Sequence, residues 1–341
     1  MLKYSLVFGI SVLLSLILTP LAKLLASKLN ILDTPDHRKI HDKPVPLLGG
    51  PAIFLAFALP LFFLWNREIL GAIIAGLVFV LFGLFDDAGI KIRARYKIWF
   101  HLLFACLFTH FSGLSFGFFN FQPFNYILTA CFITFMTNSF NMLDGMDGLV
   151  SGIAFLASLF FFLLALNNNL PILTVMSLAL AGATLGFLKY NFNPASIFLG
   201  EGGSTLIGFL LAVFSLRLKV FELWDIALAL NIPRLQFVSF LIPLIILGIP
   251  IFDTFFVFVN RFLHHIKMST PGKDHSHHRI HLMGLSQKMT VLTLYAVQII
   301  LGAVALTMVN ADFQQFLSLL LIISIMVFGA VNFLLRVRVY T

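Results

Sequence analysis

Four polar side chains recur at every third position near the end of an apolar segment: Asn138, Asn141, Asp144 and Asp147. Residues three apart are neighbours on a helix, so these amides and carboxylates form a polar stripe on a membrane-embedded surface. Such groups are costly to place in lipid, and a stripe of them therefore indicates a functional site. The glycine after each aspartate lets the backbone leave the helix and approach a ligand closely. The stripe predicts binding of a polar ligand.

A pair of acids, Asp86 and Asp87, ends another apolar run and precedes a basic segment that contains Lys91 and Arg93. Adjacent residues on a helix point about 100° apart, so the pair is not expected to act as one bidentate clamp. Two like charges this close raise the pKa of one carboxyl unless a cation intervenes, which suits it to accepting a proton. A solvated helix end beside an orienting basic loop explains the same residues equally well.

A single carboxylate, Glu201, lies among glycines in the sequence Phe-Leu-Gly-Glu-Gly-Gly-Ser-Thr at 198–205, just before an apolar span. Exposed amides and a hydroxyl beside a carboxylate suit a phosphate together with Mg²⁺, which prefers oxygen ligands. No Gly-Lys-Ser/Thr follows, so the segment is not a Walker motif. Capping of the following helix by Ser204 or Thr205 is the structural alternative, and it is compatible with a binding role.

Histidines cluster at 275–281, where the sequence reads His-Ser-His-His-Arg-Ile-His. His275, His277, His278 and Arg279 together offer imidazole and guanidinium donors that suit a polyphosphate. A zinc site and a solvated loop are the competing interpretations, although neither a thiolate nor a His-Glu-x-x-His pattern accompanies the cluster.

One more acid, Asp253, lies inside an apolar segment, with Arg261 eight residues later. The two side chains can share a helix face and pair as a structural bridge. A direct ligand-binding role for Asp253 is an equally good interpretation.

The rest of the chain places these groups in a membrane. Of 341 residues, 60% are hydrophobic and 11% are charged, whereas an average soluble domain is about one-quarter charged. We therefore predict an all-α polytopic membrane protein that forms a single domain over residues 1–341. Apolar segments long enough to span a bilayer, at about 20 residues each, number eleven: 4–24, 49–65, 69–85, 98–111, 125–142, 149–166, 170–188, 205–220, 237–258, 290–309 and 316–335.

The charges between these segments predict an orientation. When the loops alternate between two sides, 17 of the 22 Lys and Arg residues fall on one side and five on the other. The positive-inside rule then puts the N-terminus outside and the C-terminus in the cytoplasm. The same alternation brings the acid pair, the polar stripe, Glu201 and the histidine cluster to the cytoplasmic side, which indicates one site assembled from several loops.

Four motifs of this chain resemble the successive signatures of the polyprenyl-phosphate N-acetylhexosamine-1-phosphate transferases, glycosyltransferase family 4. In chain order they are Asp86-Asp87, the stripe through Gly148, the segment 198–204 and His275-x-His-His278. The resemblance covers essentially the whole chain. The His-x-His-His form and the His-Arg-Lys-Ile-His loop at 37–41 are more similar to the undecaprenyl-phosphate N-acetylglucosaminyl 1-phosphate transferase type. The phospho-N-acetylmuramoyl-pentapeptide transferase type has consecutive histidines instead.

This resemblance implies a reaction at the cytoplasmic face of a bacterial inner membrane. UDP-N-acetylhexosamine and undecaprenyl phosphate, with Mg²⁺ or Mn²⁺, give undecaprenyl-diphosphate-sugar and UMP, which starts a surface glycan such as lipopolysaccharide O-antigen or a wall polymer. One phosphoanhydride replaces another, so catalysis consists of positioning and charge stabilisation. No nucleic-acid partner is implied. The hexosamine is left open, N-acetylglucosamine being the first choice, and so is a homodimer.

The resemblance also implies roles for the residues. Asp86 or Asp87 takes the proton from the lipid phosphate or organises that phosphate, and Asn141 and Glu201 hold Mg²⁺ and the diphosphate. The other substrate-binding positions are Asp144 and Asp147 near the nucleotide, His277, His278 and Arg279 at phosphate or sugar, Lys91 and Arg93 at phosphate, and Asn138 and His275.

Glu201 departs from the family pattern, which usually has aspartate at this position. Glutamate is longer by one methylene, about 1.5 Å of reach, and Mg²⁺ demands near-ideal octahedral geometry. Altered metal affinity and an impaired enzyme are possible consequences. Because Gly202 and Gly203 follow, we expect instead that a flexible loop retreats and compensates.

Two alternatives stay open: the phospho-N-acetylmuramoyl-pentapeptide transferase of the same family, and a secondary transporter that uses intramembrane acids. Against the transporter, the acids cluster at one face, and neither an internal repeat nor a discontinuous helix pair stands out in the sequence.

Overall fold

The computed structural model describes residues 2–35, 43–64, 66–90, 92–232, 234–267, 270, 272–337 and 339. Lys91 and the loop at 37–41 lie outside the described residues. The described chain is mainly α-helical, which confirms the predicted fold class, and it divides into two compact units, Met1–Leu218 and Lys219–Thr341. The single domain over residues 1–341 stays a prediction.

Eight α-helices form the described part of the first unit: α1 (Leu2–Lys28), α2 (Gly49–Phe62), α3 (Arg67–Asp87), α4 (Ala94–Ser112), α5 (Gln122–Leu143), α6 (Leu149–Asn167), α7 (Pro171–Asn191) and α8 (Gly200–Arg217). Two short antiparallel strands, β1 (Leu32–Asp33) and β2 (Val45–Pro46), lie between α1 and α2.

Local sequence sets several helix ends in this unit. The Asn66 side chain accepts hydrogen bonds from the backbone N–H groups of Glu68 at 2.9 Å and Ile69 at 3.3 Å, which satisfies donors that the first turn of α3 leaves free. Gly113 ends α4 in the left-handed conformation, with φ of 68°, and glycine adopts this conformation without a steric penalty. Gly148, with φ of 78°, adopts the same left-handed conformation immediately before α6.

The centre of the first unit is α8, in which every residue from Gly202 to Ser215 is buried. The helices α2, α3 and α5 pack against it. A Cβ atom added to Gly83 of α3 would overlap the backbone of Gly202, and one added to Gly208 would lie 2.6 Å from the carbonyl oxygen of Met136 in α5. Because only hydrogen fits at these points, the helix backbones touch, and the start of α8 is fixed beside the ends of α3 and α5.

Contacts along the helices also define their directions. Arg217 at the end of α8 pairs with Glu68 at the start of α3, whereas the start of α8 contacts the end of α3, so these helices are antiparallel. The helices α1 and α7 run in the same direction, because positions 11 and 15 lie beside positions 182 and 186.

The second unit contains a 3₁₀ turn (Phe221–Leu223) and seven α-helices in its described part: α9 (Trp224–Ala229), α10 (Leu235–Ser239), α11 (Leu241–Ile246), α12 (Gly248–Leu263), α13 (Ser276–Leu282), α14 (Gln287–Val309) and α15 (Phe313–Leu335). Asp312 caps α15 reciprocally with Gln315, a capping box that satisfies donors on both residues.

Seven described helices are long and apolar enough to cross a membrane: α1, α3, α5, α6, α7, α14 and α15. The count is eight if the segments Leu235–Ile246 and Gly248–Leu263, which meet at an angle of 84°, form one span. The class of polytopic membrane protein is thus confirmed, while eleven spans and the orientation stay predictions. The sequence did not predict this single bent segment. The expectation that no pair of discontinuous helices is present stays a prediction.

Candidate active site

The acid pair at the end of α3 separates into two different environments. One carboxylate oxygen of Asp87 accepts a hydrogen bond from the backbone N–H of Glu201 at 2.8 Å, and the other accepts from Gly202 N–H at 3.2 Å. The first turn of a helix has free N–H groups and a partial positive charge, which a carboxylate satisfies well. Asp87 therefore caps α8 from a neighbouring helix.

Asp86 turns away from its neighbour, as the spacing predicts. Its Oδ1 accepts a hydrogen bond from the Ile92 backbone N–H at 3.1 Å, and its Oδ2 lies 2.8 Å from the ammonium nitrogen of Lys97 in α4. The same ammonium forms an ion pair with Glu201. Burial acts to lower the pKa of Lys97, but the hydrogen bonds to Asp86 and Glu201 outweigh it and raise that pKa.

Lys97 was missed as a site residue in the sequence, where it contributes only to the positive-inside count. Its contact with Glu201 joins positions 104 residues apart, and no local pattern links them. The available signal was weaker: Lys97 follows the acid pair after a short turn, so an α4 packed back against α3 returns it to the acids.

Glu201 lies in the first turn of α8, with its carboxylate largely buried. Its Oε2 contacts Lys97, while its Oε1 is buried without a hydrogen-bond partner among the described residues. Burial raises the pKa of this carboxyl to about 7, although Lys97 opposes the shift. A buried carboxylate oxygen with free lone pairs is chemically suited to a hard cation such as Mg²⁺.

The alternative that Ser204 or Thr205 caps the helix after Glu201 is wrong. The helix begins at Gly200, so Ser204 and Thr205 are inside it, and their hydroxyls donate to the carbonyls of Gly200 at 3.1 Å and Glu201 at 2.6 Å. The capping role belongs to Asp87, a residue far away in sequence.

The expected flexible loop after Glu201 is not found either. Gly202 and Gly203 belong to the helix, and both are buried. A Cβ atom added to Gly50 would lie 2.5 Å from the backbone nitrogen of Gly203. These glycines allow close backbone packing and give Glu201 no room to retreat, so the hypothesis of compensation by loop movement is wrong.

The polar stripe is only half helical. Asn141, in the last turn of α5, donates from its amide nitrogen to the Ser204 hydroxyl at 3.1 Å, which leaves the amide oxygen for a ligand. Asn138 donates to the Thr134 carbonyl of its own helix at 2.7 Å. The helix ends at Leu143, so the two aspartates lie in the break before α6.

Those two aspartates have different surroundings. Asp147 accepts hydrogen bonds from the Asn193 amide at 3.0 Å and the Ala195 backbone N–H at 2.9 Å, which holds the loop before α8. The Asp144 backbone N–H donates to the Asn141 carbonyl at 3.4 Å, but its carboxylate makes no hydrogen bond or ion pair within the described part of the chain. Burial, followed by the negative charges of Asp87, Asp147 and Asp33, raises the pKa of Asp144 to about 8. A bound cation would relieve this crowding of acids.

The structure thus brings Asp86, Asp87, Asn141 and Glu201 to one end of the first unit. The free oxygens of Asn141 and Glu201 fit the predicted Mg²⁺ by their chemistry. Across the described residues, however, no three His, Cys, Asp or Glu side chains already form a metal-binding group. Arg93 is exposed at the start of α4, and Lys91 is outside the described residues.

The histidine cluster lies in the second unit, around α13. His275 contacts a carboxylate oxygen of Asp253 through Nδ1 at 2.7 Å, and the Ser276 N–H and hydroxyl both donate to the other oxygen at 2.6 Å. The suggested bridge between Asp253 and Arg261 is wrong, because Arg261 forms a buried bidentate pair with Asp274 at 2.6 and 2.8 Å.

The solvated-loop interpretation of the cluster is also wrong, since His275 and His277 are buried. Burial lowers the pKa of His277 well below its usual value, and it lowers that of His278 to about 4. Burial opposes the charge on His275 as well, but the bond to Asp253 outweighs it and raises that pKa. Neither ring nitrogen of His277 has a hydrogen-bond partner among the described residues.

Arg279 has a structural position. Its guanidinium donates to the backbone carbonyls of Asp274 at 3.0 Å, Leu334 at 3.1 Å and Val337 at 2.6 Å, so it binds the end of α15. A phosphate-binding role for Arg279 stays a prediction.

The fold and the site define a polytopic helical membrane protein with acids, an amide and a lysine gathered at one end of a helix bundle. The family model of glycosyl transferase family 4 matches residues 69–219, from α3 through α8. The chain is 33% identical to the probable undecaprenyl-phosphate N-acetylglucosaminyl 1-phosphate transferase of Bacillus subtilis (strain 168), over 96% of this chain and 90% of the relative. This chain belongs to glycosyl transferase family 4.

Two further relatives carry the name undecaprenyl-phosphate alpha-N-acetylglucosaminyl 1-phosphate transferase. The protein of Thermotoga maritima is 28% identical, over 83% of this chain and 91% of the relative. The protein of Escherichia coli (strain K12) is 25% identical, over 86% of this chain and 80% of the relative. The similarity to all three relatives extends over both units of the chain.

Proposed function

We propose that this chain transfers N-acetylglucosamine 1-phosphate from UDP-N-acetylglucosamine to undecaprenyl phosphate, releasing UMP and starting a lipid-linked surface glycan. Membership of glycosyl transferase family 4 and the names of the relatives support this activity. The observation that carries it furthest is the buried, unpartnered Oε1 of Glu201 beside the Asn141–Ser204 bond and the Asp86–Lys97 pair.

In this proposal a phosphate oxygen of the lipid forms a bond to the sugar-proximal phosphorus of the donor. The bond from that phosphorus to the bridging oxygen breaks, and UMP leaves with the bond electrons. Mg²⁺, or Mn²⁺ in its place, supplies positive charge to the diphosphate when bound. Asn141 and Glu201 are the residues that would hold it, through an amide oxygen and a carboxylate oxygen.

Asp86 is the better candidate for the proton acceptor of the acid pair. Both oxygens of Asp87 already accept backbone N–H groups of α8, whereas the Asp86 side chain is 25% exposed and its partner Lys97 is 19% exposed. Asp86 can therefore reach an incoming lipid phosphate, and Lys97 beside it favours the ionised carboxylate that accepts a proton.

We also propose eleven spans in a bacterial inner membrane, with the N-terminus outside, the C-terminus in the cytoplasm and the site at the cytoplasmic face. The helix directions in the first unit support this alternation: α3 is antiparallel to α8, and α1 is parallel to α7. Basic residues gather at the ends of α1 and α7 that the alternation places inside, Lys28 and Lys189.

The test is UMP release by the purified full-length protein with undecaprenyl phosphate and a panel of UDP-sugars. We expect UMP release with UDP-N-acetylglucosamine, loss of release with a chelator, and recovery with Mg²⁺ or Mn²⁺. Release only with the UDP-muramoyl-pentapeptide would establish the related transferase instead. Proton-coupled uptake of a solute without UMP release would establish the transporter and overturn the proposal.

A further inference from the structure

The ammonium group of Lys97 lies between two carboxylates that the proposed reaction assigns to different tasks. It is 2.8 Å from Asp86, the candidate proton acceptor, and it pairs with Glu201, the candidate metal ligand. The three residues come from the end of α3, the first turn of α4 and the first turn of α8. One positive charge therefore joins three helices at the site.

This arrangement bears directly on metal binding at Glu201. The ammonium occupies Oε2, and Oε1 has no partner in the described structure. A divalent cation at Glu201 would bring like charge within a few ångströms of Lys97, where repulsion in a partly buried site is strong. Either the metal and the ammonium bind the Glu201 carboxylate together with reduced affinity, or the ammonium moves away from Glu201 when the metal binds.

We propose that Lys97 is the resident counter-cation of the metal-free site and that it sets the affinity of the site for divalent metal. This positioning role rests on the proposed function, because it takes Glu201 as a metal ligand. Metal and ammonium compete for one carboxylate, so the metal must displace a charge-assisted hydrogen bond. Such a bond corresponds to about a tenfold to hundredfold reduction in metal affinity.

The glutamate at position 201 makes the competition possible. Its backbone N–H is held by Asp87, and Gly202 is packed against α3, so the main chain there is fixed and only the side chain can reach Lys97. An aspartate would end about 1.5 Å short of the same point. The extra length of the Glu201 side chain thus lets it pair with Lys97, and no loop movement offsets that length.

The first test measures Mn²⁺ binding by electron paramagnetic resonance to the full-length, metal-stripped protein in detergent, without substrate. We expect Lys97→Met, which keeps the length of the side chain and removes its charge, to bind Mn²⁺ at least tenfold more tightly than the parent. Lys97→Arg keeps the charge and should stay within threefold of the parent. Equal or weaker binding by Lys97→Met, with the parent's thermal midpoint, overturns the proposal.

A double-mutant cycle isolates the pair. In a Glu201→Asp background, the shorter side chain no longer reaches the ammonium, so adding Lys97→Met should change Mn²⁺ affinity by less than threefold. If Lys97→Met still raises Mn²⁺ affinity tenfold in that background, the pairing of Lys97 with Glu201 is contradicted. Lys97 would then act on Mn²⁺ binding through Asp86 alone.

A second measurement needs no substitution and so does not depend on a variant that folds. Acetylation of the parent protein, followed by mass spectrometry, reports the reactivity of Lys97 relative to exposed Lys28. Saturating Mg²⁺ should increase the Lys97 rate at least twofold, because the displaced amine loses its carboxylate partner. No change on saturation overturns the proposal.

The outcomes separate this inference from the proposed function. UMP release by the parent together with unchanged Mn²⁺ affinity in Lys97→Met would leave the transferase standing and remove the role of Lys97. Tighter Mn²⁺ binding by Lys97→Met in a protein that releases no UMP from any UDP-sugar would do the reverse.

Discussion

Replacement of Asp87 by asparagine tests whether this residue is mainly the cap of α8. Asparagine has nearly the same shape, and its one amide oxygen can still accept the Glu201 N–H that Asp87 accepts at 2.8 Å. The amide nitrogen would then face the Gly202 N–H, now 3.2 Å from a carboxylate oxygen. One hydrogen bond is weakened, and the other is replaced by two donors facing each other.

The expected loss of folding stability follows from these two contacts. A hydrogen bond to a charged group contributes about 1.5–3 kcal/mol and a neutral one about 0.5–1.5 kcal/mol. A negative charge at a helix N-terminus adds about 0.3–1 kcal/mol. Together they predict that Asp87→Asn destabilises the protein by about 2–3 kcal/mol.

The matched control is Asp86→Asn, one position away in the same helix. Asp86 caps no helix, and its pair with Lys97 is partly exposed, so its loss should cost about 1 kcal/mol or less. The assay is thermal unfolding of both variants in detergent without substrate or metal. A drop in the unfolding midpoint for Asp86→Asn that equals or exceeds the drop for Asp87→Asn would refute the capping role.

Three further predictions concern other parts of the structure. Glu201→Ala should abolish Mg²⁺-dependent UMP release, and retention of full Mg²⁺-dependent activity would show that Glu201 is not a ligand. Gly83→Ala should lower the unfolding midpoint by the equivalent of about 2 kcal/mol or more, because its Cβ overlaps the backbone of α8, whereas Gly71→Ala in the same helix meets open space and should change stability by less than about 1 kcal/mol. The raised pKa of His275 means that its pair with Asp253 stabilises the fold fully below the unfolded pKa of about 6.5 and loses that contribution as pH rises through the folded pKa. The unfolding midpoint of the parent should therefore fall over that interval relative to His275→Gln, and parallel curves for the two proteins would contradict it.

The sequence predicted where the helices lie better than it predicted the partners of each side chain. Composition and apolar segment length are local properties, so each predicted span coincides with one helix or, at 237–258, with a broken set of helices. The stripe was placed correctly as far as Asn141. The prediction that the stripe continues on the helix is wrong, because Asp144 and Asp147 lie in the break between α5 and α6.

Contacts between distant residues account for what the sequence did not predict. Asp87 and Glu201 are 114 residues apart, and Arg279 and Leu334 are 55 apart. Nothing in the neighbouring residues distinguishes a carboxylate that caps a helix from one that accepts a proton. For Arg279, the same charge that suits a phosphate also suits the free carbonyls at the end of a helix, and only the packing of α15 shows which of them it binds here.

The adjacency of Asp86 and Asp87 gives the end of α3 two separate sets of contacts. A single carboxylate that accepts both N–H groups of α8 has no oxygen left for an incoming phosphate. Because neighbouring residues on a helix point about 100° apart, a second acid beside the first faces Lys97 and the open side of the site instead. Asp87 fixes the helix that carries Glu201, and in the proposed function Asp86 stays available to accept a proton. Moving Asp87 by one position would therefore release the start of α8, whereas moving Asp86 would separate it from Lys97.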